Sequence, residues 1–341
     1  MAENNKKLSR KEFFRVGGST VAGLTILGVA GNHLYKMIAH PERAFYGEEQ
    51  GVAVDKTAPL PSPYRKVAAF KTRGAIAAFE FYGDVIYIAS ERKVLCYNLL
   101  GEEQKSFVAE DIIRDIAIYE DKIYLLHPTK IAVYSLSAER IGGWEACSFE
   151  SDYCQMTVFE GGVFVTDAAN KNICKYTLDG AFRRFIDSPE GFIVPSYSFG
   201  VTNIEGVVYC SNPGRHKVES YTAEGDFIAS FGQTGNAEGS FSGCCNPVHL
   251  TSTASGDIIT SEKGLPRISC YGRDGKFHAT LLSREALGVG HDAREVRVVG
   301  DRMIVAGGDV VSIFQYDAKF AEATACGSCE KDCPLKRGIN I

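Results

Sequence analysis

From about residue 65 onward, apolar residues arrive in short β-branched and aromatic runs separated by turn residues: VIYIAS, KIYLLH, VFVTD, VVYCSN, DIITSE and RMIVAG. Each run follows a Gly or Asp and leads into a second segment that carries a tyrosine near its end: KVLCYNLLG, KIAVYSLSA, NICKYTLDG, KVESYTAEG, RISCYGRDG and VSIFQYDAK. The tyrosines are Tyr97, Tyr134, Tyr176, Tyr221, Tyr271 and Tyr316, at intervals of 37, 42, 45, 50 and 45 residues. In the first five units Gly101, Ala138, Gly180, Gly225 and Gly275 follow four residues later. No helical period intervenes, so each unit reads as several short strands joined by turns.

A repeat of short strands cannot bury its own faces. It must stack on its neighbours, and closure into a ring removes the exposed edges. The pattern therefore predicts an all-β, six-bladed β-propeller over residues 64–318. The sixth unit lacks its last strand, because after Tyr316 the pattern gives way to AKFAEATACGSC. YRKVAAF, Tyr64 to Phe70, stands before the first blade without a blade of its own. It is expected to supply the missing outer strand and close the ring.

The stretch FIASFGQTGNAEGSFSGCCNPVHLTSTASGDIITSEKGLPRISCYGRDGKF resembles the NHL-repeat propellers. The resemblance lies in F-G-x-x-G-x-x-x-G-x-F from Phe231 to Phe241, in Pro247, and in a strand leading through Glu262 to Arg267, Ile268 and Tyr271. It implies a fold rather than an activity, since propellers host lyases, binding platforms and signalling modules alike.

The ends of the chain read differently. Lys6, Lys7, Arg10, Lys11 and Arg15 precede the uncharged stretch VGGSTVAGLTILGVAG, the layout of an export signal over residues 1–31. Within it SRKEFFR, Ser9 to Arg15, resembles the twin-arginine translocation motif with Lys11 in place of the second arginine. The apolar stretch is shorter than the ~20 residues of a spanning helix, so an uncleaved anchor is the weaker alternative. The expected location is periplasmic or otherwise extracytoplasmic. Residues 32–63 read as a linker, and 319–341 as a cysteine-rich tail.

At 341 residues, 45% hydrophobic and 23% charged, the composition is that of a globular protein. A net charge of −5 supplies no basic field for nucleic acid, which is excluded as the expected partner. The sequence carries no C-x-x-C-H, H-E-x-x-H, Walker loop or G-x-S-x-G.

Cysteine is where the chemistry concentrates. Eleven are present, an odd number that disulfides alone cannot use. Cys326, Cys329 and Cys333 in ACGSCEKDCPLKRGINI are spaced C-x2-C-x3-C-P, which resembles the second half of the bacterial ferredoxin run. Three thiolates leave a four-cysteine set incomplete, and the adjacent Cys244 and Cys245 in the turn GCCNP are the expected source of the fourth. An iron–sulfur cluster, of the 4Fe-4S kind, is the expected cofactor. Zinc is the alternative, and disulfides in an oxidised tail are the other. Cys147 and Cys154 flank the loop between the second and third blades and are placed to pair if the domain is oxidised.

Two functions from different classes follow, with a third behind them. The first is an exported redox or electron-transfer subunit that docks on a protein partner or membrane complex. The second is a lyase-like, hydrolase-like or ligand-binding propeller with its site at the channel mouth. Counting thirteen residues back from His127, Asp167, Glu262 and Gly307 gives Arg114, Cys154, His249 and Arg294, each near the start of an innermost strand. Two cations, a thiol and an imidazole there suit a small anion or carboxylate. The third is an interaction platform without chemistry of its own.

Overall fold

The computed structural model describes residues 62–288 and 290–317. The export signal, most of the linker, and the tail with Cys326, Cys329 and Cys333 lie outside the described residues. The described strands form six four-stranded antiparallel sheets arranged as the blades of a propeller. Five blades are consecutive, spanning 78–108, 115–145, 153–186, 201–231 and 249–282. The sixth joins Glu295–Val299, Arg302–Gly307 and Val310–Tyr316 to Tyr64–Lys71.

That last pairing closes the ring as the orphan strand predicts. Tyr64 lies opposite Tyr316 and Lys71 opposite Val310, with one bulge between Lys66 and Ala68. The backbone continues the seam at both ends, Thr72 N–H donating to Asp309 and Asp317 N–H to Pro63.

Apolar residues are buried between blades rather than in one central core. Six clusters fill six interfaces, from Val94 against Ile116 between the first and second blades to Ile304 against Phe79 between the sixth and first. Middle strands are covered on both faces, which explains their unbroken apolar runs: in Gly162–Asp167 every residue is buried. Outer strands face solvent; Glu103–Val108 is mostly polar, whereas Phe227–Phe231 exposes Phe227 and Ile228.

The tyrosine repeat has a packing reason. Tyr97, Tyr134, Tyr176 and Tyr271 each receive an aromatic ring from the preceding blade's outer strand, Phe70, Phe107, Trp144 and Phe231, with centroids 5.2–5.8 Å apart. The glycine four residues later clears space for that ring. A Cβ on Gly180, held at φ +90°, would lie 2.5 Å from Trp144, and one on Gly275 would lie 2.4 Å from Phe231.

Two faces follow from the strand directions. Inner strands begin on the mouth face, beside hairpins such as His127 to Lys130 and Gly307 to Val310. Tyr64 and Tyr316 lie at the opposite, base face. The F-G-x-x-G loop sits at the mouth face, where Arg267 binds Glu262 at 2.6 Å and donates to the Ser240 carbonyl.

Candidate functional site in the axial channel

The channel edge of each inner strand has no neighbouring strand, so its N–H groups need other acceptors. Two are met by carboxylates from the preceding blade. Asp115 Oδ2 accepts from Met156 N–H at 2.7 Å while its Oδ1 accepts from Ile116, and Glu295 Oε2 accepts from Phe79 N–H at 2.9 Å. Both acids are buried, and both begin an inner strand.

Between them stands Arg297, two residues along from Glu295. Its Nε lies 3.2 Å from Glu80, its Nη2 lies 3.0 Å from Glu295, and its Cζ lies 5.3 Å from the centre of the Phe79 ring. Glu80 and Glu295 thus share one guanidinium, and Asp115 is close enough to feel its charge. Burial pushes Glu295 up to about 8; Arg297 opposes the shift, and Asp115 and Glu80 add to it. Asp115 rises to about 6, again chiefly through burial. Burial works to lower Arg297, but Glu80, Glu295 and Asp115 together carry it above its ordinary range. Burial and the like charges of Asp115 and Glu80 therefore both favour the protonated form of Glu295.

Across the channel, Gln155 of the third blade hydrogen-bonds Nδ1 of His249 of the fifth. The amide nitrogen can only donate, so Nδ1 accepts and the neutral ring keeps its proton on Nε2. Burial pulls His249 down to about 4, with Arg297 and Lys263 adding to the effect. Gly200 of the intervening blade permits the crossing: a Cβ there would lie 2.6 Å from the Val248 carbonyl and 3.3 Å from the Gln155 amide oxygen.

Of the four residues counted from sequence, His249 reaches this channel site. Arg114 pairs with Asp152 at 3.0 Å. Cys154 packs between the third and fourth blades, where burial pushes its thiol up to about 12. Arg294 lies against Gly307 and lines a cavity of about 300 Å³ with Lys66, Leu287 and Phe314. The channel acids are the residues immediately after the two arginines. His249 opposes Ser261, 12 residues on (261 − 249), whereas Asp115 opposes Leu126 and Glu295 opposes Ala306, each 11 on (126 − 115 and 306 − 295). A longer hairpin connection in the fifth blade changes the interval by one, and one residue reverses the side chain. Glu80, Gln155 and Arg297 sit further along their strands, and alternation from those starting points was the available signal.

Cys147 is placed beside Cys174, not Cys154, with the two sulfurs 3.6 Å apart. Cys244 and Cys245 have sulfurs 3.0 Å apart at the mouth face, where Asn246 clamps the turn to Ser242 and Lys263. Tyr316 lies at the base face, the face opposite the Cys244–Cys245 turn, and Cys326, Cys329 and Cys333 lie outside the described residues.

No family model matches the chain, and no curated protein matches it. Solved structures do match. The virginiamycin B lyase of Staphylococcus aureus is similar at 13% identity over 74% of this chain and 99% of that one, with a TM-score of 0.54. A protein of unknown function from Bacteroides thetaiotaomicron gives 12%, 74%, 72% and 0.58 in the same order. The WD40 propeller domain of Doa1 gives 10%, 71%, 79% and 0.53. At these identities the likeness defines a β-propeller and leaves the activity to the site.

Proposed function

We propose that the protein is a ligand-binding propeller that takes a small amine or guanidine into the mouth of its axial channel and exchanges a proton with it there. The observation that carries this reading is the buried acid Glu295, which shares the Arg297 guanidinium with Glu80 at the channel and whose ionisation burial and the neighbouring acids oppose. A cation entering the cluster stabilises the ionised carboxylates, so binding releases the Glu295 proton. The neutral His249 supplies an Nε2–H donor on the other side of the channel. Acid and imidazole together would suit proton-transfer chemistry, which the lyase-like fold accommodates.

Titration calorimetry with a panel of small amines, guanidines and carboxylates, in buffers of differing ionisation enthalpy, tests the reading. Amines or guanidines should bind with proton release between about pH 6 and 8, and Glu295→Gln should bind without it. Preference for carboxylates, or no binding by any cation, overturns it.

A second reading is favoured by the spacing of Cys326, Cys329 and Cys333: a metal or iron–sulfur site that makes the propeller a redox or docking subunit. Iron and zinc analysis of anaerobically prepared protein beside Cys329→Ser decides it, since metal unaffected by that change excludes the tail. The basic, then apolar, N-terminal segment supports export in either case. Trapping of the precursor by Arg10→Gln with Lys11→Gln would mark the twin-arginine route.

A further inference from the structure

The fifth blade departs from its neighbours at one spot on the base face, where three residue changes coincide beside a cysteine that the first blade also carries. Opposite the repeat tyrosine, each of the first five blades carries a bulge that inserts one extra residue into its outer strand: Gln104, Ile141, Arg183, Ile228 and, in the fifth blade, His278. The residue before the tyrosine is Cys96, Val133, Lys175, Ser220 and then Cys270. On the second strand, the residue preceding the tyrosine's partner is Val85, Lys122, Gly162 and Val207, but Asp257 in the fifth. One position after the tyrosine, Asn98, Ser135, Thr177 and Thr222 give way to Gly272.

The three exchanges, Asp257, Gly272 and His278, meet Cys270 in one arrangement. A carboxylate oxygen of Asp257, the Cys270 sulfur and a ring nitrogen of His278 lie within 4.8 Å of one another. Gly272 makes room for the imidazole, since a Cβ there would lie 2.9 Å from His278 Nε2. His278 Nδ1 is buried, has no hydrogen-bond partner, and lies 3.8 Å from Asp257 Oδ1. The other carboxylate oxygen is already oriented, accepting from Ser255 Oγ at 2.8 Å and Thr253 Oγ1 at 3.4 Å.

We propose that Asp257, Cys270 and His278 form a binding site for a divalent transition metal of the zinc class. Ligand atoms around tetrahedral zinc lie about 3.3–3.8 Å apart, so the three need only a small inward movement. Thiolate, imidazole and carboxylate in one set select zinc, cobalt or nickel over calcium or magnesium. Three protein ligands leave the fourth position to water. Metal entry displaces the Cys270 thiol proton to solvent, and the hydroxyls of Ser255 and Thr253 act as the outer support of the carboxylate. The site is independent of the channel cluster, which lies toward the other face.

Cobalt(II) titration of the full chain tests it, with a Cys326→Ser, Cys329→Ser, Cys333→Ser chain separating this site from the tail. The tail variant should bind one cobalt with a thiolate-to-cobalt charge-transfer band. Adding Cys270→Ser should remove the band, and adding His278→Ala, at a partly exposed position that leaves the fold intact, should weaken binding by more than about 100-fold. Ser255→Ala should weaken it by about 10-fold, as loss of an outer-shell partner does. A tail variant that binds no cobalt, or binding and absorbance unchanged in both ligand variants, overturns the proposal.

Discussion

Gln155 and His249 belong to blades that are not neighbours, yet their side chains meet over Gly200 of the blade between them. The contact sets the tautomer of the one imidazole near the channel cluster. It also makes Gly200, immediately before the fourth blade's inner strand, the spacer over which the two side chains meet.

A valine at Gly200 must displace the Val248 carbonyl and push Gln155 aside. Gly200→Val should destabilise the protein by about 1–3 kcal/mol, measured by denaturant unfolding. The two-dimensional NMR signals of His249 should shift with it. An unshifted ring would show that the crossing does not depend on Gly200.

The channel acids give stability a pH dependence of definite sign. Glu295 is raised in the folded chain from 4.5 to about 8, so its contribution is full below about pH 4.5 and is lost as pH rises through 8. His249, lowered from 6.5 to about 4, works the other way: its contribution is present above 6.5 and is lost as pH falls toward 4. Between about pH 6.5 and 8 the Glu295 effect is unopposed by His249, and melting temperature should fall. Glu295→Gln should flatten that decline. A wild-type curve already flat over this interval would count against a protonated Glu295.

Arg297 is the single cation among three carboxylates. Arg297→Met should cost about 3–5 kcal/mol at pH 8 and less at pH 5, where protonation relieves the repulsion left behind. Equal losses at both pH values would assign the residue a packing role over Phe79 rather than an electrostatic one.

Closure of the ring concentrates on Tyr64, which is 6% exposed and stands edge-on to Tyr316 at 5.5 Å. Tyr64→Ala should cost about 3–5 kcal/mol and lower the temperature of one cooperative transition. Separate melting of the sixth blade would mean that the seam is not shared by the whole ring.

Mild oxidation should join Cys147 to Cys174, whose sulfurs are 3.6 Å apart, and leave Cys154 reduced. Peptide mapping under non-reducing conditions reads the pairing. A Cys147–Cys154 linkage would require the third blade's first strand to move.

The blade count, the tyrosine repeat and the closing strand were legible because each is written in composition at fixed spacing. Tyr64 to Phe70 could have no other partner once the sixth unit was seen to lack a strand. The channel was legible only to within one residue. Arg114 and Arg294 are charged and stand at strand starts, but the acids that bond the next inner strand are Asp115 and Glu295, and a difference in hairpin length hides that shift. Arg297 was harder still, since its meaning comes from Glu80, more than two hundred residues away in sequence and adjacent in the ring. The site at Asp257, Cys270 and His278 was invisible for a different reason: a bulge residue belongs to no alternating pattern.

The seam between Tyr64–Lys71 and Val310–Tyr316 also fixes how the molecule responds to force. Ser62 and Asp317 emerge side by side from the base face, at the same end of one antiparallel ladder. Tension applied through the flanking segments therefore loads the ladder's hydrogen bonds one pair at a time, beginning at Tyr64 and Tyr316, instead of all together in shear. Pulling on these two ends should part the Tyr64–Tyr316 end of the sixth blade's ladder first, like a zip.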